Sequence, residues 1–90
     1  MQQLIASEDS EMTTAAKITS TNQLGDAVRQ RRKAARLTQA ATAQLARVGN
    51  RFLSELERGK STVEFGKTLQ VLNVLGLELH LASRTGVAGS

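Results

Sequence analysis

LTQAATAQLARVGNRFLSELERGK, residues Leu37–Lys60, is the stretch whose reading decides the fold. Thr38 is a good helix N-cap, because its hydroxyl can accept from the orphan amides of a first turn. Gln39–Ala46 behind it are rich in alanine and leucine, which favour a helix. Arg47-Val48-Gly49-Asn50 then reads as a short turn, with Gly49 available for capping or for an unusual backbone angle. The spacing predicts a further helix over about Asn50–Glu57, with Phe52, Leu53 and Leu56 on its inward side. Gly59 stands where a left-handed C-terminal residue belongs, and Arg58 and Lys60 beside it suit the negative end of the helix dipole. Two short helices joined by a turn of three or four residues, the second basic at its start, make a helix-turn-helix layout.

Upstream, a helix is predicted from near Asn22. Ser20 or Thr21 caps it, and Gln23, three residues after Ser20, completes a capping box. Leu24, Ala27, Val28, Arg31 and Ala35 follow helical spacing, while Arg29, Arg32, Lys33 and Arg36 load the other faces. Downstream, Thr62–Leu75 reads as a helix with Phe65, Leu69, Leu72 and Leu75 on one face and Gly76 as its stop. Phe52 and Phe65 are expected in the core. Leu77 to Ser83 alternates apolar and polar side chains, the period of a half-buried strand. One strand cannot make a sheet. Either two subunits pair this segment through Leu77, Leu79 and Leu81, or the tail packs against its own helices. His80 falls on the outer face of that strand or at a dimer seam. The expected organisation is a flexible arm over residues 1–19, the helix-turn-helix domain over 20–76, a dimerisation strand over 77–84 and a flexible tail over 85–90.

Charge is concentrated in the same block. Residues 21–60 carry nine Lys/Arg against Asp26, Glu55 and Glu57, whereas residues 1–20 sum to −2 and residues 61–90 to zero. Such asymmetry fits a surface that faces a polyanion, or a solvated basic helix face. The major groove, ~12 Å wide, admits a helix whose first turn reaches base edges. Arginine pairs in bidentate fashion with guanine and asparagine with adenine, which makes Arg51 and Asn50 the chemically apt readers. The alternative for Asn50 is a cap residue. Ser54 lies a turn further on. Glu55 can accept from a cytosine amino group or bridge to Arg51 or Arg58, and Gln39 can donate to a phosphate or brace a reader. The Arg29–Arg36 cluster either touches flanking phosphates or is plain solvated surface.

The segments Leu37-Thr38-Gln39 and Phe52-Leu53-Ser54-Glu55-Leu56-Glu57-Arg58-Gly59-Lys60 resemble the Xre/Cro-type repressor family. The resemblance covers about residues 22–76 and implies an all-α, lambda-repressor-like domain of four to five helices. With Val71-Leu72-Asn73-Val74-Leu75-Gly76-Leu77 and a terminal strand, the chain is most similar to HipB-type antitoxins. That similarity implies a homodimer sharing a C-terminal β-ribbon, a palindromic double-stranded DNA operator, a HipA-like kinase toxin as partner and repression of the shared operon. Carried over by position, groove contacts fall on Gln39, Asn50, Arg51, Ser54 and Glu55, and phosphate contacts on Arg58 and Lys60. Three residues depart from the family pattern: Thr42 replaces a larger apolar side chain, Arg47 the turn glycine, and Gly49 a Ser or Thr cap. A stand-alone regulator without a toxin, or a protein-binding adaptor, shares much of the pattern.

Other classes are poorly served. There is no cysteine and one histidine, so thiol chemistry and a His-rich metal site are excluded within one subunit, and no cofactor is implied. Glu55 and Glu57 point apart at i,i+2 on a helix, which leaves no convergent acid–base pair for an enzyme. No stretch approaches the ~20 apolar residues of a membrane span, and the start of the chain is not a secretory signal. A cytoplasmic, bacterial protein is expected.

Overall fold

The computed structural model describes residues 15–83, which form four helices: α1 (Thr21–Ala34), α2 (Gln39–Ala46), α3 (Asn50–Glu57) and α4 (Phe65–Val74). The starts of α1 and α2 are set by side-chain caps, as the sequence suggests. Ser20 accepts from the Gln23 amide at 3.1 Å and Thr38 from the Ala41 amide at 3.0 Å. The reciprocal half of the first capping box shifts by one residue, for Gln23 Oε1 accepts from the Thr19 amide at 2.6 Å. Residues 15–19 precede α1 without regular structure, and residues 1–14 of the expected arm lie outside the described residues. α4 starts three residues later than predicted, because Glu64 caps it by accepting from the Lys67 amide at 3.1 Å.

The core comprises Val28 of α1, Ala43 and Ala46 of α2, Leu53 and Leu56 of α3, and Val71, Leu72 and Leu75 of α4 and its end. Phe52 is half-buried against it. Phe65 is not a core residue: its side chain is 61% exposed, and Leu69 is also open to solvent. The helix that begins at Phe65 turns Thr68, Val71, Leu72 and Leu75 inward, which rotates the Phe65–Leu69 edge out of the contact. α1 is rotated likewise. Its buried positions are Gly25, Val28 and Arg32, whereas Arg31 and Ala35 of the expected row are exposed. Gly25 is what lets α1 come so close to α3. A Cβ there would collide with the Leu56 carbonyl oxygen and lie 2.7 Å from that of Glu57.

The turn between α2 and α3 resolves differently from its sequence reading. Arg47, not Gly49, adopts the left-handed conformation, at φ 61 and ψ 42. Gly49 is extended at φ −76 and ψ 154, a region any residue adopts, and it gives α3 no side-chain cap. Thr42 fills its apolar position fully buried, with its hydroxyl lacking a hydrogen-bond partner among the described residues. Gly59 and Gly76 are left-handed after α3 and α4, as expected of C-terminal glycines. Past Gly76, residues 77–83 form no strand within the single chain. Leu77 packs on the core, but Leu79 and Leu81 stand in solvent, 50% and 93% exposed, so the tail is not folded back on its own helices there. His80 lies 3.0 Å from Glu78, both exposed. Residues 84–90 lie outside the described residues.

Candidate nucleic-acid interface

The inward side of α3 is Leu53, Leu56 and Glu57; the outward side is Asn50, Arg51, Ser54, Glu55 and Arg58. The two sides carry their carboxylates in contrasting ways. Glu57 is buried and takes a two-pronged bond from Arg32 of α1, with Nε at 2.6 Å and Nη2 at 3.0 Å. Gln39, the first residue of α2, donates to the same carboxylate at 3.0 Å. Arg32 also donates to the Leu37 carbonyl at 2.9 Å. One ion pair therefore ties together α1, the turn before α2, the start of α2 and the end of α3. Burial acts strongly to push the Glu57 carboxyl up, but the bonds and charge of Arg32 and the bond from Gln39 outweigh it and hold it below its usual range. The Arg32 guanidinium is raised, chiefly by its bond to Glu57.

On the outward side, Glu55 accepts from Arg51 Nε at 3.1 Å and from Lys60 Nζ at 3.1 Å. Those two bonds, that from Lys60 first, lower its carboxyl pKa. Arg58 donates to Ser54 Oγ at 3.1 Å. The Arg51 side chain is 89% exposed and swings from an exposed helical turn, as a base or phosphate reader must. Asn50 is exposed at the head of α3.

The structure thus brings Asn50, Arg51, Ser54, Glu55, Arg58 and Lys60 onto one surface. Gln39 borders them, but its amide is spent on bracing Glu57. Leu77, Leu79 and Leu81 lie on the separate segment after α4. Sequence reasoning missed the Arg32–Glu57 pair, although a signal existed. Arg32 is four residues after core Val28 and Glu57 four after core Leu53, so opposite charges occupy two apolar registers. Among the described residues no group of His, Asp or Glu is placed to hold a metal, and no helix is long and apolar enough to cross a membrane.

Two short helices held on α1 by the Arg32–Glu57 pair and the Gln39 bond, the second presenting a polar and largely cationic row, define a DNA-binding regulator of the helix-turn-helix class. The chain belongs to the helix-turn-helix domain family, whose profile matches residues 23–85. It is 42% identical over 67 residues to an uncharacterized HTH-type transcriptional regulator, y4mF, of Sinorhizobium fredii (strain NBRC 101917 / NGR234). That match spans 74% of this chain and 88% of the relative. The fold is shared with a chain of a HipA–HipB–O2–O3 complex and with a chain of a HipB–O4 20mer complex. Each gives a TM-score of 0.72 at 22% identity, over 79% of this chain and all of the other.

Proposed function

We propose that this transcriptional regulator is a homodimeric, sequence-specific repressor that places two copies of α3 one DNA turn apart, ~34 Å, on a palindromic operator. The observation that carries the reading is the outward row of α3, Asn50, Arg51, Ser54 and Arg58, held at a fixed pitch by the Arg32–Glu57–Gln39 brace beneath it. Asn50 and Arg51 read base edges. Arg58 and Lys60 engage phosphates and supply affinity by releasing counterions. Glu55 sets how far Arg51 and Lys60 are available. Repression follows from covering a promoter, the protein's own among them, in a bacterial cytoplasm.

The dimer rests on the tail. Leu79 and Leu81 are apolar, alternate with polar residues and find no cover among the described residues, which suits a two-stranded ribbon between subunits with Leu77 at its base. Leu79→Asp puts a charge into the ribbon's buried row, so sedimentation should show a weakened dimer. A variant that stays fully dimeric would remove the ribbon.

A HipA-like kinase toxin as partner draws its support from the fold shared with HipB, found in complex with HipA. A stand-alone regulator draws its support from the higher identity to y4mF, an HTH-type transcriptional regulator. The deciding experiment is fluorescence anisotropy on the DNA immediately upstream of this gene against scrambled duplex, over a range of salt. Strong preference for the upstream site, falling steeply with salt, establishes the autoregulating repressor. A toxin encoded beside it that copurifies and tightens this binding establishes the antitoxin. Absence of binding to either duplex leaves the helical domain as a protein-binding adaptor.

A further inference from the structure

Beside the reading row, α1 and α3 enclose an open cleft of about 400 Å³. Its walls carry Arg29 and Lys33 of α1 and Ser54 and Arg58 at α3, and Arg32 and Glu57 lie among its lining residues. That makes four cations against a single carboxylate. The carboxylate is engaged by Arg32 and Gln39 and attracts Arg29 only through space. Among the described residues Arg29 and Lys33 have no carboxylate within 4.0 Å, for the ion pairs of this region are Arg32–Glu57, Arg51–Glu55 and Lys60–Glu55. Arg29 and Lys33 are also i,i+4 neighbours of like charge, an arrangement that costs stability on a helix unless an anion lies between them. The brace below holds Arg58 of α3 beside these two cations.

We propose that this cleft seats a backbone phosphate of the duplex, gripped by Arg29 and Lys33 from α1 and by Arg58 from the end of α3. The inference rests on the DNA-binding reading above and adds a second, sequence-blind contact on a helix that does no reading. The chemistry is that of a phosphate monoanion. Arginine and lysine supply charge-assisted donors, and the Ser54 hydroxyl, which accepts from Arg58, has its own proton left to donate. The cleft is polar and open along one side, so the phosphate it suits is one carried past on a polymer. Its position next to Ser54 and Arg58 puts the bound strand along the rim of the groove that α3 enters, and so fixes the pitch of that helix in the groove.

The test is Arg29→Gln with Lys33→Gln, assayed by anisotropy on upstream and scrambled duplex across a salt series. Both residues are exposed and repel one another, so a melting temperature equal to or slightly above that of the wild type certifies the fold. The log Kd against log salt slope is expected to become shallower by about one to two units, with weaker binding to both duplexes and the preference between them kept. A slope equal to that of the wild type overturns the inference. An unchanged slope joined to a gain in melting temperature from inorganic phosphate at constant ionic strength, lost in the variant, would mark a free-anion site instead. Failure of the wild type itself to bind either duplex would instead sink the DNA-binding reading, so the two failures are told apart.

Discussion

Glu55 and Glu57 are two residues apart on one helix and have opposite surroundings. Glu57 faces α1, 3% exposed, with a two-pronged arginine and a glutamine amide upon it. Glu55 faces solvent and bridges Arg51 and Lys60, two side chains that the surface could hold in many other ways. Both carboxyls are lowered, so the direction of the shift does not separate them. What separates them is what is left behind when one is removed. A largely buried guanidinium stripped of its partner gains little water in exchange, while an exposed arginine and lysine simply become free. The inner face of α3 holds the domain in one shape. The outer face, so similar in charge, is free to exchange partners with a polyanion.

The largest expected effect breaks the inner face. Glu57→Gln leaves Arg32 buried without a countercharge and should cost up to ~3–5 kcal/mol in urea denaturation. Replacing both partners, with Arg32→Met and Glu57→Leu, should recover most of that loss. If the double variant is no better than the single one, the pair is not an isolated unit and Gln39 or the Leu37 carbonyl holds part of the brace. Acid sharpens the same point. The Glu57 carboxyl is lowered in the folded state, so its stabilisation is present above the unfolded value, about 4.3, and is lost as pH falls through the folded one. Wild-type stability should therefore drop on acidification below about pH 4, more steeply than that of Glu57→Gln.

On the outer face the effects move from folding to binding. Arg51→Ala should leave the melt unchanged and cost ~1–3 kcal/mol on the cognate duplex, with preference relaxed at one base pair. An unaltered preference would make Arg51 a phosphate contact. The smallest effect is expected of Glu55→Gln, which releases Arg51 and Lys60 and removes a negative charge from the approach to DNA. Binding should tighten roughly three- to tenfold on cognate and scrambled duplex alike. Loss of cognate binding in that variant would show Glu55 to be a base reader.

The sequence by itself determined the features that depend on a few neighbouring residues. The Ser20 and Thr38 caps, the left-handed Gly59 and Gly76, and the span of α3 from Asn50 to Glu57 are where local chemistry places them. The outward row Asn50, Arg51, Ser54 and Arg58 follows from helical period alone, which is why the candidate interface was legible. Only the tertiary structure decided how the helices turn toward one another. Side chains that would read as solvated became interior, as Arg32 did, because a partner four helical residues from a core leucine met it across the α1–α3 contact that Gly25 permits. Phe65, apolar enough for the core, is outside because the Glu64 cap fixes where α4 begins and hence which edge faces α2. At the α2–α3 turn the glycine lies two residues from the strained position, and Arg47 bears the left-handed angle instead. Propensity ranks the candidates for each conformation, but the geometry of closing one helix onto the next chooses among them, and that choice depends on residues dozens of positions away.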